Sequence, residues 1–303
     1  GAGIVEKVGS SVTSFAAGDK VLLFADYCGH CSHCREGMTS YCDHINQIVY
    51  SGARADGTSK AHQGDQPIWA NFFGQSSFAT HALVTERNAL KLSKDADLHM
   101  LAAISCGILT GAGSVFHALP VEEGTSFAVI GTGAVGIAAI MAAAVKGAKE
   151  IIAVDRAPHR LELAKELGAT AAIHTDGDVD LAEEIRRLTG EGCHVILDTT
   201  GSAEIIRSAV SALRTRGVCG FVSAGAADLP LPFTELLRKG KSVRGIMGGD
   251  AKPKEFLPQL IALYEGGRFP FDRLIRHYPF DQINAAIDDM QAGKTIKPVI
   301  TFA

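Results

Sequence analysis

The chain has 303 residues, 47% hydrophobic and 20% charged, with a formal net charge of −4. A chain this long buries roughly 75% of its unfolded surface, and ~150 residues per domain suggests two domains. The composition excludes a disordered tail or a coiled coil, and the acidic balance, with scattered Lys and Arg, argues against nucleic acid as a partner. From Gly1 to about Leu92 the sequence reads as short strands, such as 4–8 and 20–24, with a polar exposed loop over 51–68. A helical pattern follows over 106–117. From Thr125 strands and helices alternate. The strands are expected at 126–130, 150–155, 171–174, 194–198, 218–223 and 242–247, and the helices at 135–146, 159–167, 181–188 and 203–213. Such alternation implies a parallel sheet covered on both faces, and right-handed crossovers make it doubly wound. A helix over 253–265, a strand over 274–278, a helix over 280–292 and a strand over 296–302 close the chain.

The uncharged run from Phe127 to Val145 is long enough to suggest a membrane span. Gly131, Gly133 and Gly136 lie in its first half, so a buried strand followed by a buried helix explains it better, and no membrane partner is expected. No secretory signal opens the chain. The seven cysteines are odd in number, and four crowd between positions 28 and 42, which speaks against a disulfide framework. The expected compartment is the cytoplasm.

Gly131-Thr132-Gly133-Ala134-Val135-Gly136 ends an apolar strand and opens an Ala-rich helix. In that context Gly131 takes the tight turn, Gly133 leaves room for a pyrophosphate and Gly136 lets helix and strand pack closely. The helix N-terminus offers free N–H groups to the phosphates. Asp155 stands at the end of the next strand, nineteen residues after Gly136. A carboxylate there accepts the ribose hydroxyls and repels a 2′-phosphate, so NAD is favoured over NADP. Arg156, next in sequence, weakens that preference slightly.

Cys28, Cys31, Cys34 and Cys42 have the spacing C-x2-C-x2-C-x7-C in a polar loop containing Gly29, His30 and His33. Four thiolates this close can close a tetrahedron around a structural zinc. A ferredoxin-type cluster would want C-x3-C-P at its end, and a nucleic-acid zinc ribbon is disfavoured by the charge. His30 and His33 are expected at the surface. Cys106, in Ser105-Cys106-Gly107, reads on its own as a small buried hydrophobe or a ligand. Cys193 and Cys219 read as core, and His174 and His194 as structural.

These features occur together in one order. The four-cysteine lobe, Gly74-Gln75-Ser76-Ser77-Phe78, Ser105-Cys106-Gly107 with Thr110-Gly111, the Gly131–Gly136 turn and the closing 297–302 segment resemble zinc-dependent medium-chain alcohol dehydrogenases. Residues 71–80 look most like the bacterial aryl-alcohol (benzyl-alcohol) members. The resemblance implies a mostly β GroES-like catalytic domain over 1–106, incomplete at its N-terminus and carrying a zinc lobe at about 26–45. A Rossmann NAD-binding domain over 107–247 and a return to the catalytic domain over 248–303 follow. It makes Cys106 a ligand of a catalytic zinc, Arg160 the holder of the adenosine ribose and Lys297 a contact of the pyrophosphate. Thr110, Val135 and Val222 match cofactor-binding positions, the two valines flanking the nicotinamide. Phe24, Phe72 and Phe73 match substrate-pocket positions, where three phenyl rings would suit a flat alcohol, although ordinary core would explain them as well.

In this family the first catalytic Cys, the proton-accepting hydroxyl and a Gly-His-Glu segment lie upstream of a Gly-Ala-Gly like residues 1–3. The expectation is therefore a fragment lacking two of three catalytic zinc ligands, with neither His44 nor His62 matching a ligand position. The implied reaction is oxidation of a primary alcohol to an aldehyde, in which zinc lowers the pKa of the bound alcohol and hydride passes to NAD. The chain as given is expected to be inactive, and its full-length parent active. The rivals are a hydroxymethyl-glutathione (formaldehyde) dehydrogenase and a non-catalytic NAD- and zinc-binding protein. The expected assembly is a homodimer or homotetramer.

Overall fold

The computed structural model describes residues 1–302 except 55, 60, 178, 226 and 227. The chain divides into two compact units, one comprising 1–106, 252–261 and 274–303, the other 107–251 and 262–273. Among the described residues no helix is long and apolar enough to cross a membrane.

The first unit holds a three-stranded antiparallel sheet of Ala2–Ile4, Lys20–Leu23 and Ala89–Lys91, with Ala2 opposite Leu22 and Val21 opposite Lys91. Val21, Leu23 and Ala89 are buried beneath it against Val5, Phe15 and Val84. The strand expected over 4–8 ends at Ile4. Beyond that point the Val5 N–H donates to Asp19 O and its carbonyl accepts from Gly18, so the chain pairs with a turn. The loop expected over 51–68 contains a short hairpin, Ala61–Gln63 against Gln66–Ile68; positions 55 and 60 lie outside the described residues. A parallel pair, Ile275–Pro279 and Lys297–Thr301, completes this unit's strands.

The second unit is built on a six-stranded parallel sheet. Its strands are β1 (Ser126–Ile130), β2 (Glu150–Asp155), β3 (Ala171–His174), β4 (Cys193–Asp198), β5 (Leu213–Phe221) and β6 (Ser242–Gly245). They lie in the order β3-β2-β1-β4-β5-β6, so the order reverses beside β1, where doubly wound sheets bind their ligands. Helix α1 (Ala134–Val145) has no charged residue and is buried on nearly every face, as a helix under a central strand must be. Pro158 opens α2 (Pro158–Glu166), where its missing N–H costs nothing. Asp180 caps α3 (Leu181–Thr189) and Ser202 caps α4 (Ala203–Ala212). Strand β5 begins five residues earlier than expected, at Leu213, with an irregularity before Val218 where Arg216 takes φ 63°. Helix α5 (Phe233–Lys239) was not foreseen; its apolar residues Phe233 and Leu237 are exposed, so no buried stripe marks it. The apolar run 127–145 is β1 followed by α1, not a single span.

Candidate functional site

The turn after β1 is shaped by its glycines. Gly131 takes φ +91°, and its N–H donates to Val154 O at 2.8 Å. A Cβ at Gly136 would sit 1.9 Å from Gly131 O, so only glycine lets α1 start this close to β1. Gly133 differs: a Cβ there meets nothing within 4 Å, and this residue caps α1 without any side-chain bond to the helix amides. The open space and the unfilled amides lie together, which suits an anionic diphosphate.

Asp155 ends β2 and faces this turn. Its Oδ2 accepts from Thr132 N at 2.6 Å and Thr132 Oγ1 at 2.7 Å, and its Oδ1 accepts from Ala157 N at 2.9 Å. Burial pushes its carboxyl up, but these hydrogen bonds and the Arg160 charge outweigh it and hold it below the usual carboxylate range. The Arg160 Nε is buried without a hydrogen-bond partner. An ionised acceptor, an orphaned donor and an open glycine cradle in one unit fit a dinucleotide. Val135 lies in the first turn of α1, and Val222, one residue past β5, donates its N–H to Asp198 O at 3.2 Å. Thr110 sits in the helix Leu109–Gly113, and a Cβ on the adjoining Gly111 would come 2.0 Å from Val135 O.

Three polar residues of this turn were missed by sequence reasoning. Thr132 is fully buried and orients Asp155. Thr199 fills the space beside Gly131, its Oγ1 donating to Ile130 O at 2.9 Å. Asp198, fully buried, accepts from Thr200 Oγ1 at 2.7 Å and Gly201 N at 2.8 Å, and burial pushes its carboxyl up. The signal that could have found Asp198 and Thr199 is Asp-Thr-Thr-Gly at the end of a strand, whereas Thr132 carries no signal beyond its place between Gly131 and Gly133.

In the first unit the sulfurs of Cys28, Cys31, Cys34 and Cys42 lie within 4.8 Å of one another. The Cys28 and Cys34 sulfurs are 3.8 Å apart. A tetrahedron with Zn–S near ~2.3 Å has sulfur edges of roughly 3.8 Å, so the donor set fits zinc. Backbone amides already point at it: Cys31 N and His30 N donate to Cys28 Sγ at 3.3 and 3.4 Å, and Cys28 N to Cys42 Sγ at 3.3 Å. Burial would push the Cys28 thiol up, but the His30 and Cys31 amides outweigh it and draw it down to about 7. Burial pushes Cys34 up to about 12. His30 and His33 are exposed, as is His44.

Cys106 is exposed and lines a cavity of about 1030 Å³ in the first unit, as do Ser105 and Lys297. Among the described residues it belongs to no group of three metal donors, so the side chains present do not fit a catalytic zinc. Phe24 is buried, Phe73 half-buried at φ 60°, and Phe72 is 52% exposed. The Phe72 and Phe73 rings meet at 4.6 Å, and Tyr50 lies 6.1 Å from Phe72. None of the three phenylalanines lines that cavity. Cys193 and Cys219 are buried in β4 and β5; His194 Nδ1 lies 2.7 Å from Ser126 Oγ, and His174 Nε2 3.0 Å from Arg156 O.

Residues 1–94 match the alcohol dehydrogenase GroES-like domain, and residues 134–265 the zinc-binding dehydrogenase family. A geraniol dehydrogenase of Castellaniella defragrans is 40% identical over 305 residues, covering 100% of this chain and 82% of the relative. The crystal structure of an alcohol dehydrogenase zinc-binding domain protein from Burkholderia ambifaria has a TM-score of 0.95 at 44% identity. That of benzyl alcohol dehydrogenase from Acinetobacter calcoaceticus has 0.93 at 41%. Each covers 100% of this chain, which spans 82% of theirs. The glycine turn with its carboxylate, the four-cysteine lobe and these likenesses agree: the chain belongs to the zinc-dependent medium-chain alcohol dehydrogenase family, whose cofactors are NAD and zinc.

Proposed function

We propose that this sequence serves NAD-linked oxidation of primary, benzyl-type alcohols to aldehydes, with small alcohols and aldehydes as its only ligands besides the cofactors. The observation that carries the cofactor half is the pairing of the open Gly133 cradle with the ionised Asp155 and the unpartnered Arg160 Nε. Bound NAD supplies the hydride acceptor. The residues of this chain that would hold it are the amides of α1 for the diphosphate and Asp155 and Arg160 for the adenosine ribose. Val135 and Val222 shape the nicotinamide side. The aromatic preference is supported by the likeness to the Acinetobacter enzyme, since Phe24, Phe72 and Phe73 lie outside the cavity that Cys106 lines.

We further infer that Cys28, Cys31, Cys34 and Cys42 hold one structural zinc. Cys106 stands apart from any second pair of metal donors among the described residues, so residues 1–303 by themselves are expected to bind NAD with negligible alcohol oxidation. Edge pairing of the coenzyme sheets into homodimers or homotetramers, and a cytoplasmic location, complete the reading.

The test is calorimetric titration with NAD together with a nicotinamide absorbance assay on zinc-loaded protein. NAD binding and negligible turnover by residues 1–303 are the expected results, with benzyl alcohol outrunning ethanol in whatever turnover remains. Turnover that appears only with added glutathione would replace this reading by formaldehyde oxidation. Substantial turnover by residues 1–303 would show that another residue completes the reactive site.

A further inference from the structure

The four-thiolate lobe carries two exposed imidazoles beside one of its sulfurs. The rings of His30 and His44 lie 5.5 Å apart, and one nitrogen of each falls within 4.8 Å of the other and of Cys28 Sγ. Cys28 and Cys34 are half-buried, whereas Cys31 and Cys42 are buried. The Cys28 sulfur therefore borders two donor sets, the three other thiolates and two surface imidazoles. His30 is held in place there: its Nδ1 is 3.1 Å from Cys28 O, and the Arg35 guanidinium donates to the His30 carbonyl. Cys31 has a comparable pair in His33 and Asp43, but those two side chains already bond each other at 2.9 Å. The Cys28 side is the one left open to an incoming ion.

We propose that Cys28, His30 and His44 form a transient second zinc site through which the ion enters and leaves the four-cysteine site. The proposal rests on the reading of the four cysteines as a structural zinc site. A closed tetrahedron of thiolates offers no vacant position. Without neighbouring donors, exchange must begin with a Zn–S bond opening to water. Two imidazoles and a shared thiolate allow stepwise ligand exchange instead. The incoming Zn²⁺ loses water to His30, His44 and a second lone pair of the Cys28 sulfur. Its Zn–N bonds then break as Zn–S bonds to Cys31, Cys34 and Cys42 form, while the resident ion's own four Zn–S bonds break one by one, water takes their place, and it departs hydrated. No electron moves, and any thiol proton displaced during first loading goes to solvent. Imidazole is the right intermediate ligand, because it binds zinc readily yet yields to a set of four thiolates.

The experiment follows exchange of bound zinc for isotopically enriched zinc in the loaded protein, read by mass spectrometry after gel filtration. The variant is His30→Asn with His44→Asn, which keeps polar side chains at both positions. Its exchange is expected to be roughly ten-fold slower, the lower end of what losing a metal-site neighbour costs. It should retain one zinc per chain and an unchanged circular dichroism spectrum. His62→Asn, in the exposed hairpin, should exchange at the unmutated rate. Equal or faster exchange by the double variant overturns the proposal and leaves the four-cysteine reading standing. An unmutated chain that binds no zinc at the four cysteines overturns both.

Discussion

Gly133 and Gly136 stand three residues apart on one turn, yet a methyl group would meet opposite fates at the two. At Gly136 it would press on backbone at 1.9 Å, where no side chain can give way. Gly136→Ala is therefore expected to cost about 3 kcal/mol, the upper end for overpacking, in urea unfolding. At Gly133 the methyl meets no protein atom. Gly133→Ala should unfold within about 1 kcal/mol of the unmutated chain, the ordinary cost of an alanine N-cap, while NAD affinity falls at least ten-fold in calorimetry. Asp155 gives a second pair of outcomes. Its carboxyl is held below the ordinary value by Thr132, Ala157 and Arg160. The folded state thus binds its proton more weakly than the unfolded chain. This contribution to stability is complete above the unfolded carboxylate value and fades as pH falls through the lower folded one. Asp155→Asn should flatten that part of the acid limb in urea melts taken across pH values. Asp155→Gly should weaken NAD and improve NADP binding, because the repulsive charge near the 2′ position is gone. Tighter NADP than NAD binding by the unmutated chain would refute the assignment.

Among the elements, the lobe of residues 28–44 has little apolar support: the short helix Ser32–Arg35 buries no residue. Its thiolates must supply the cohesion, so Cys34→Ala is expected to lose the single tightly held zinc and expose the lobe to protease. Elemental analysis and limited proteolysis read the two effects, and iron in place of zinc would sink the assignment. Helix α4 depends on a group from far along the chain. The fully buried Lys241 Nζ donates to Val210 O at 2.7 Å and Ser211 O at 3.2 Å, closing the helix end, and pairs with Glu235. Lys241→Met should cost about 3 kcal/mol, since it leaves those carbonyls and a carboxylate unmatched. Strands β1, β2 and β3 fell where the sequence put them, because uncharged or alternating runs between turn residues have few other ways to be buried. Helix α5 and the early start of β5 were illegible. The first hides no apolar stripe, and the second runs through Arg214 and Arg216, which a central strand would not be expected to hold.

At the scale of the whole chain, the cysteine lobe and the glycine turn belong to different compact units. Removing zinc with a chelator is therefore expected to leave NAD affinity within two-fold while the lobe becomes protease-sensitive, roughly the scatter allowed between independent sites. A large loss of NAD affinity would show the units to be energetically coupled. The parts of this protein that the order of residues determined are those whose chemistry is local. Four cysteines within fifteen residues can meet one ion wherever the loop lies, and a glycine turn between strand and helix makes its own anion cradle from adjacent amides. Tertiary structure alone decided the rest. It brought Thr132 and Arg160 to Asp155, set Thr199 against Gly131 from 68 residues away, and gave Lys241 to the end of α4. Among the described residues it also left Cys106 outside any group of three metal donors and set two surface imidazoles beside Cys28. Polar groups buried by folding take whichever partner the packed sheet and helices bring near, and no spacing along the chain encodes that choice.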